Sequence, residues 1–211
     1  MIMRPARMKS VLYFHGFASS PASQKITALR PLLEPRGIEL NTPDLNVPSF
    51  EKLDWNALVE HAVNAAREMP PRALVGSSLG ALVALSVAKR GVHVPLVLIA
   101  PALGVSTRWK EKIPAGDPII TFNHALGIDA PIHRKFFEQM FDVHVDDEPP
   151  AAPVTVIMGR LDETVPFHLV KATWDRWNLG PSSRFIEIGA GDHSLVSESQ
   201  LIADAIEEAA G

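Results

Sequence analysis

The sequence contains no cysteine. Disulfides, a thiol nucleophile and thiolate metal sites are therefore excluded, although a chain without cysteine suits either redox environment. No run of about 18 apolar residues occurs, so no membrane span is expected. No block of like charge stands out and the formal net charge is −4, which argues against a nucleic-acid or anionic-membrane surface. The opening residues Met1 to Arg7 lead into a strand-like run with no separate apolar stretch. No signal peptide and a cytoplasmic location are the expectation, with residues 1–7 a flexible extension or Met8 the true start. No glycine-rich phosphate loop or dinucleotide fingerprint is present, because Gly76-x-x-x-Gly80 lacks the lysine of one and the glycine pattern of the other. No cofactor is therefore expected. Metal binding has one weak candidate, His144-Val145-Asp146-Asp147, which has no second cluster to support it. A surface loop is the plainer reading there, and a solvated loop the plainer one for the acidic run Asp146-Asp147-Glu148.

What is present is a rhythm. The 211 residues are enough for one α/β domain, 1–211, with a single sizeable core. Short apolar runs occur at Val11–Phe14, Ile38–Thr42 (weaker), Ala73–Val75, Val94–Ile99, Val154–Met158 and Phe185–Ile188. Runs of this kind suit strands buried on both faces of a parallel sheet. Helical patterns lie between them: Ser23–Leu33, Asp54–Arg67, Leu79–Arg90, Val165–Trp177 and Ser197–Ala210. The alternation predicts a doubly wound α/β fold with six strands, mostly parallel, and helices on both faces. Residues 104–152 break the rhythm between the fourth and fifth strands and are too long for a connecting loop. Within them Asp129 is expected to cap a helix, with Pro131 near its first turn and Phe136, Phe137, Met140 and Phe141 on it. Those aromatics either anchor the insert to the core or line a pocket beneath a lid.

The chemistry centres on Gly76-Ser77-Ser78-Leu79-Gly80. Serine needs an adjacent base to act as a nucleophile. A sharp strand-to-helix turn with glycine at −2 and +2 lets the strained residue sit close to both elements. Ala73–Val75 supplies the strand and Ala81–Ala88 the helix. Ser77 fails as the nucleophile because its flanking positions are Val75 and Leu79. The order expected of such a site is nucleophile, acid, histidine. His193 in Gly191-Asp192-His193-Ser194 follows the last strand, whereas His61 and His168 fall on helices, His93 before a strand, His124, His133 and His144 in the insert, and His15 in the loop after the first strand. Asp162 in Gly159-Arg160-Leu161-Asp162-Glu163 ends another strand and is the expected acid, with Glu163 a close rival. Asp192 adjoins His193 and reads as loop bracing. The oxyanion would take one backbone N–H from Leu79 and one from the loop after the first strand, from Phe17 or alternatively Ala18. His15 reads as a brace for that loop. Ser20 or Ser23 can cap the following helix, with Pro21 in its first turn.

The stretch His15-Gly16-Phe17-Ala18-Ser19-Ser20-Pro21-Ala22-Ser23-Gln24-Lys25 resembles the opening motif of the small bacterial YqiA-type esterases of the α/β-hydrolase superfamily. The Ser78, Asp162 and His193 motifs resemble the later ones in order and spacing. The resemblance covers nearly the whole chain and implies a compact, nearly all-parallel sheet and carboxylesterase activity on short acyl esters. Two departures stand out. Ala81 replaces a second glycine found in many relatives, and the insert exceeds what the smallest relatives need. The expected function is a serine carboxylesterase acting on short-to-medium acyl esters of small molecules. A thioesterase, acyltransferase or carbon–carbon bond hydrolase would use the same triad, and a non-catalytic binding protein is the alternative from another class.

Overall fold

A computed structural model describes residues 8–211, so the expected extension at 1–7 lies outside the described residues. Six strands form one sheet: β1 (Lys9–Phe14), β2 (Ile38–Asn41), β3 (Ala73–Ser77), β4 (Leu96–Ile99), β7 (Val154–Gly159) and β8 (Arg184–Ile188). Their order is β2-β1-β3-β4-β7-β8 and every neighbouring pair is parallel. The four inner strands read as near-continuous apolar runs because both of their faces are covered. β3 and β4 are buried along their whole length. The edge strand β2 alternates, as a strand half open to solvent does, and β8 has no fully buried residue.

Helices α3 (Leu79–Lys89) and α7 (Ser199–Ala210) cover β3 and β4 from opposite faces. α2 (Trp55–Glu68) packs beside α3, and α1 (Gln24–Leu33) beside α7. α6 (Phe167–Trp177) follows β7 and packs on it. The chain runs outward from β1 to β2 and then crosses back over β1 to β3. That reversal opens a crevice between the carboxyl ends of β1 and β3, the place where such sheets bind ligands.

The insert carries more structure than the sequence pattern suggests. It holds α4 (Val105–Lys112), an antiparallel hairpin of β5 (Ile119–Asn123) and β6 (Ile128–Ile132), and α5 (Arg134–Met140). Asp129 and Pro131 lie within β6, so the expected helix start is wrong: α5 begins five residues after Asp129, with His133 at its N-cap position. Pro131 fits a strand here because the hairpin has only two strands and the missing N–H faces no ladder partner. Phe136, Phe137 and Met140 do lie on α5 and are buried, while Phe141 is its C-cap.

Asp54 secures the insert to the body. Its Oδ1 caps α2 by accepting from the amides of Asn56 and Ala57, each at 3.1 Å. Its Oδ2 accepts from Lys135 Nζ at 2.8 Å and Gln139 Nε2 at 3.0 Å, both on α5. The cap of α1 differs from expectation. Ser23 holds the N-cap position of α1 without a side-chain bond, while Ser20 Oγ accepts from Ala22 N–H in the preceding turn, which also contains Pro21. The acidic run is only partly solvated: Asp146 is buried, and its Oδ2 accepts from Gly104 N–H at 2.7 Å. His144 pairs with Asp147 at 3.4 Å. Among the described residues, no helix is long and apolar enough to cross a membrane.

Candidate active site

β3 ends at Ser77 and α3 begins at Leu79, so Ser78 alone turns the chain between them. Its φ of 54° and ψ of −119° fall where L-residues are strained. Strain of this kind costs about 1–3 kcal/mol and persists only where surrounding structure enforces it. Here three bonds do so. The Ser78 N–H donates to Ile99 O at 2.9 Å, and the Ser78 carbonyl accepts from Ala81 and Ala102, both at 3.1 Å. The flanking glycines have a steric reason. A Cβ on Gly76 would overlap the backbone of Gly80 and Ala81, and one on Gly80 would overlap the Phe14 carbonyl.

The structure brings Ser78, His193 and Asp162 together. His193 Nε2 lies 3.2 Å from Ser78 Oγ, and its Nδ1 lies 2.7 Å from Asp162 Oδ2. Asp162 sits in the loop between β7 and α6 with its side chain out of solvent. Its Oδ1 accepts from the amides of Thr164 at 2.9 Å and Val165 at 2.7 Å. Those two bonds engage one carboxylate oxygen and turn the other to the imidazole. The carboxylate assigns the proton to Nδ1 and leaves Nε2 free to accept from the Ser78 hydroxyl. Glu163 is exposed and its side chain has no bond among the described residues. Asp192 faces its own loop: Oδ1 accepts from Ser194 N–H, Ser194 Oγ and Leu195 N–H. The Ser194 hydroxyl, followed by the Leu195 amide, holds the Asp192 carboxyl below the usual range.

The loop after β1 lies against the nucleophile, since a Cβ on Gly16 would come within 3.3 Å of Ser78 Cβ. The amides of Phe17 and Leu79 have no acceptor among the described residues. The latter is the first N–H of α3, which has no partner within the helix. His15 braces this loop. Its Nε2 accepts from Leu45 N–H at 3.0 Å, so Nδ1 carries the proton and donates to Gly16 O at 2.9 Å. Burial pulls its pKa down and keeps it neutral, against the smaller upward pull of the Gly16 carbonyl and Asp44.

The Phe17 ring points into the insert. It stacks on Phe136 at 5.8 Å and meets Trp109, Phe137 and Phe50 at 5.5, 5.9 and 6.1 Å. Arg108 on α4 donates to Thr164 O at 3.1 Å, joining the insert to the loop of Asp162. Beside the Gly16–Ala18 loop, a slot bounded by Leu45, Leu53, Leu58 and Leu79 has only about 10 Å³ of free space. That is room for about one water. A larger cleft of about 300 Å³ lies between Lys52–Asp54 and the insert residues Asp117, His133 and Lys135, and is lined by none of Ser78, Asp162 and His193.

One residue at the site was missed by the sequence reading. Lys25, in the first turn of α1, is 8% exposed and donates from Nζ to Ser77 Oγ at 2.9 Å. A signal was available: Lys25, Leu29 and Leu33 share one stripe at spacing i, i+4, i+8, and the leucines are buried. A lysine on the core stripe of a helix calls for a partner.

The family model described as "Uncharacterised protein family (UPF0227)" matches residues 10–207. No curated protein matches the chain. Among solved structures, Est1E from Butyrivibrio proteoclasticus with bound ferulic acid is 18% identical, with a TM-score of 0.78 over 97% of this chain and 89% of that one. Mouse alpha/beta hydrolase domain-containing protein 10 is 19% identical, with a TM-score of 0.75 over 94% and 88%. Monoacylglycerol lipase from Paleococcus ferrophilus is 16% identical, with a TM-score of 0.73 over 94% of each chain. Together with the sheet order and the elbow, these likenesses fix the scaffold. The chain belongs to UPF0227, the YqiA-type family, and has the α/β-hydrolase fold.

Proposed function

We propose that the protein is a serine carboxylesterase acting on short-to-medium acyl esters. The observation that carries this reading is the continuous chain Ser78 Oγ–His193–Asp162, at 3.2 and 2.7 Å, mounted on a strained strand-to-helix turn. In the proposed cycle Ser78 Oγ attacks the ester carbonyl while His193 Nε2 takes its proton. Asp162 holds the Nδ1 tautomer and stabilises the imidazolium that forms. The amides of Phe17 and Leu79 donate to the oxyanion. As the tetrahedral adduct collapses, the C–O bond to the alcohol breaks and His193 returns the proton to the departing oxygen. Water, activated by the same imidazole, then releases the acyl group from Ser78.

The insert acts as a lid in this reading. Its aromatic side chains meet Phe17, and the slot beside the Gly16–Ala18 loop has little free space. Acyl groups of a few carbons fit with the least rearrangement, and longer ones require α4 and α5 to move outward. The test uses a fluorophosphonate probe and a p-nitrophenyl ester series from acetate upward. The wild-type protein should be labelled at Ser78 and turn over the short esters, and Ser78→Ala should lose both. Turnover by Ser78→Ala at the wild-type rate would sink the assignment.

A further inference from the structure

Two adjacent residues of α4 reach different parts of the candidate site. Trp109 meets the Phe17 ring at 5.5 Å, on the side of the proposed oxyanion loop. Arg108 reaches the loop of Asp162, where its Nη1 donates to Thr164 O at 3.1 Å. The start of the helix is fixed by the buried Asp146, whose Oδ2 accepts from Gly104 N–H at 2.7 Å. Arg108 has no role in the cycle above, and its guanidinium is poorly satisfied. Its Nε is buried with no acceptor among the described residues, and its one hydrogen-bond acceptor there is the neutral carbonyl of Thr164. Taking a cation partly out of water without giving it a carboxylate costs free energy. Stability alone does not account for an arginine at this position.

The carbonyl that Arg108 engages does. Thr164 O and Val165 N–H belong to one planar peptide unit. That N–H donates to Asp162 Oδ1 at 2.7 Å, the shorter of the two amide bonds to this carboxylate oxygen, the other coming from Thr164 N–H at 2.9 Å. A cationic donor on the carbonyl oxygen draws electron density from the amide nitrogen and makes its N–H a stronger donor. An unbroken series of contacts therefore runs from the insert to the nucleophile. Arg108 Nη1 meets Thr164 O at 3.1 Å, Val165 N–H meets Asp162 Oδ1 at 2.7 Å, Asp162 Oδ2 meets His193 Nδ1 at 2.7 Å, and His193 Nε2 meets Ser78 Oγ at 3.2 Å. We infer that Arg108 is a positioning residue: its guanidinium, carried on the insert, polarises the Thr164–Val165 peptide that holds Asp162 in place for His193. This rests on the triad reading, since it adds Arg108 to the same site. The acid is then fully braced only while α4 lies against the body. An acyl group that pushes α4 outward withdraws the guanidinium from Thr164 O and slackens the acid.

The experiment compares wild type with three variants. Arg108→Met removes donor and charge, Arg108→Gln keeps a neutral donor, and Arg108→Lys keeps the charge. Two readouts are taken: kcat and KM on p-nitrophenyl acetate and octanoate, and the position of the Val165 amide proton in a proton–nitrogen correlation NMR spectrum. Arg108→Met should lower kcat about tenfold on both esters with KM within about twofold, the loss expected when one charge-assisted bond that acts through position is removed. The Val165 amide proton should move upfield, as a weakened donor does. Arg108→Gln should change both readouts in the same direction and answers the question even where Arg108→Met does not fold. Arg108→Lys should restore most of both. A residue that only pinned the insert would change octanoate turnover alone and leave the Val165 amide in place, and that result overturns the inference. So does a kcat on acetate within about twofold of wild type in a folded neutral variant, or a lysine variant as slow as the neutral ones. The NMR readout needs no turnover and can be taken in the Ser78→Ala background. A wild-type protein that fails to react with the fluorophosphonate, but whose Val165 amide responds to Arg108, overturns the esterase reading and leaves the brace standing.

Discussion

Replacing Asp162 with asparagine perturbs one proton and little else. The two oxygens of Asp162 have separate duties: Oδ1 accepts from the Thr164 and Val165 amides, and Oδ2 accepts from His193 Nδ1. In Asp162→Asn the carbonyl oxygen must stay on the two amides, because an NH₂ there would face two donors. The NH₂ is therefore presented to His193 Nδ1, which must become an acceptor. The imidazole shifts its proton to Nε2 and can no longer receive the Ser78 proton. A change of this kind in a serine triad lowers kcat by about 10⁴, equivalent to about 5.4 kcal/mol of transition-state stabilisation. The fold should change little, since both amide bonds survive. The assay is kcat on p-nitrophenyl butyrate, with a denaturant titration as the check on folding. A correctly folded Asp162→Asn protein within tenfold of wild type would refute the tautomer argument and, with it, the assignment of Asp162 as the acid.

Two other substitutions test the physical account. Ser78→Gly should abolish ester turnover yet raise unfolding stability by about 1 kcal/mol, because glycine relieves strain of about 1–3 kcal/mol at φ 54° and loses part of the gain to chain entropy; urea denaturation showing a stability loss would count against strain at the turn. Asp54→Ala should cost about 1–2 kcal/mol at pH 7 through the lost helix cap and the lost bond to Lys135. The Lys135 ammonium, the largest cause, lowers the Asp54 carboxyl from 3.8 to about 2. The stability it contributes is thus complete above about pH 4 and fades as pH falls through about 2. Urea titrations of wild type and Asp54→Ala should show a constant gap from pH 7 to 5 that narrows below 4, and a gap unchanged at pH 3 would contradict the linkage.

The sequence exposed those parts of the site whose constraints are local. Gly76 and Gly80 are required by close backbone approach, so the turn at Ser78 can be read from five letters. Asp162 and His193 follow apolar runs, which places them at strand ends. The hairpin of the insert was hidden by a competing local signal: Asp129 and Pro131 satisfy the pattern of a helix start, and only tertiary context makes them β6. The alternation Ile128-Asp129-Ala130-Pro131-Ile132 was the better guide, since Ala130 and Ile132 are the buried positions. Lys25 escaped because its acceptor lies far along the chain: Ser77 is 52 residues away. A pattern within one helix can show that its lysine is out of place, but not what it faces.

Phe17 belongs to two parts of the molecule at once. Its amide is the proposed oxyanion donor, and its ring is stacked on Phe136 in the insert. An acyl chain that displaces the insert aromatics therefore acts on the backbone that must stabilise the transition state. Such coupling makes selectivity a matter of turnover rather than affinity. A poorly fitting acyl group can bind as well as a good one and still react slowly, because it arrives at a displaced amide. Competition between esters would then be decided by kcat, and a binding screen alone would rank them wrongly.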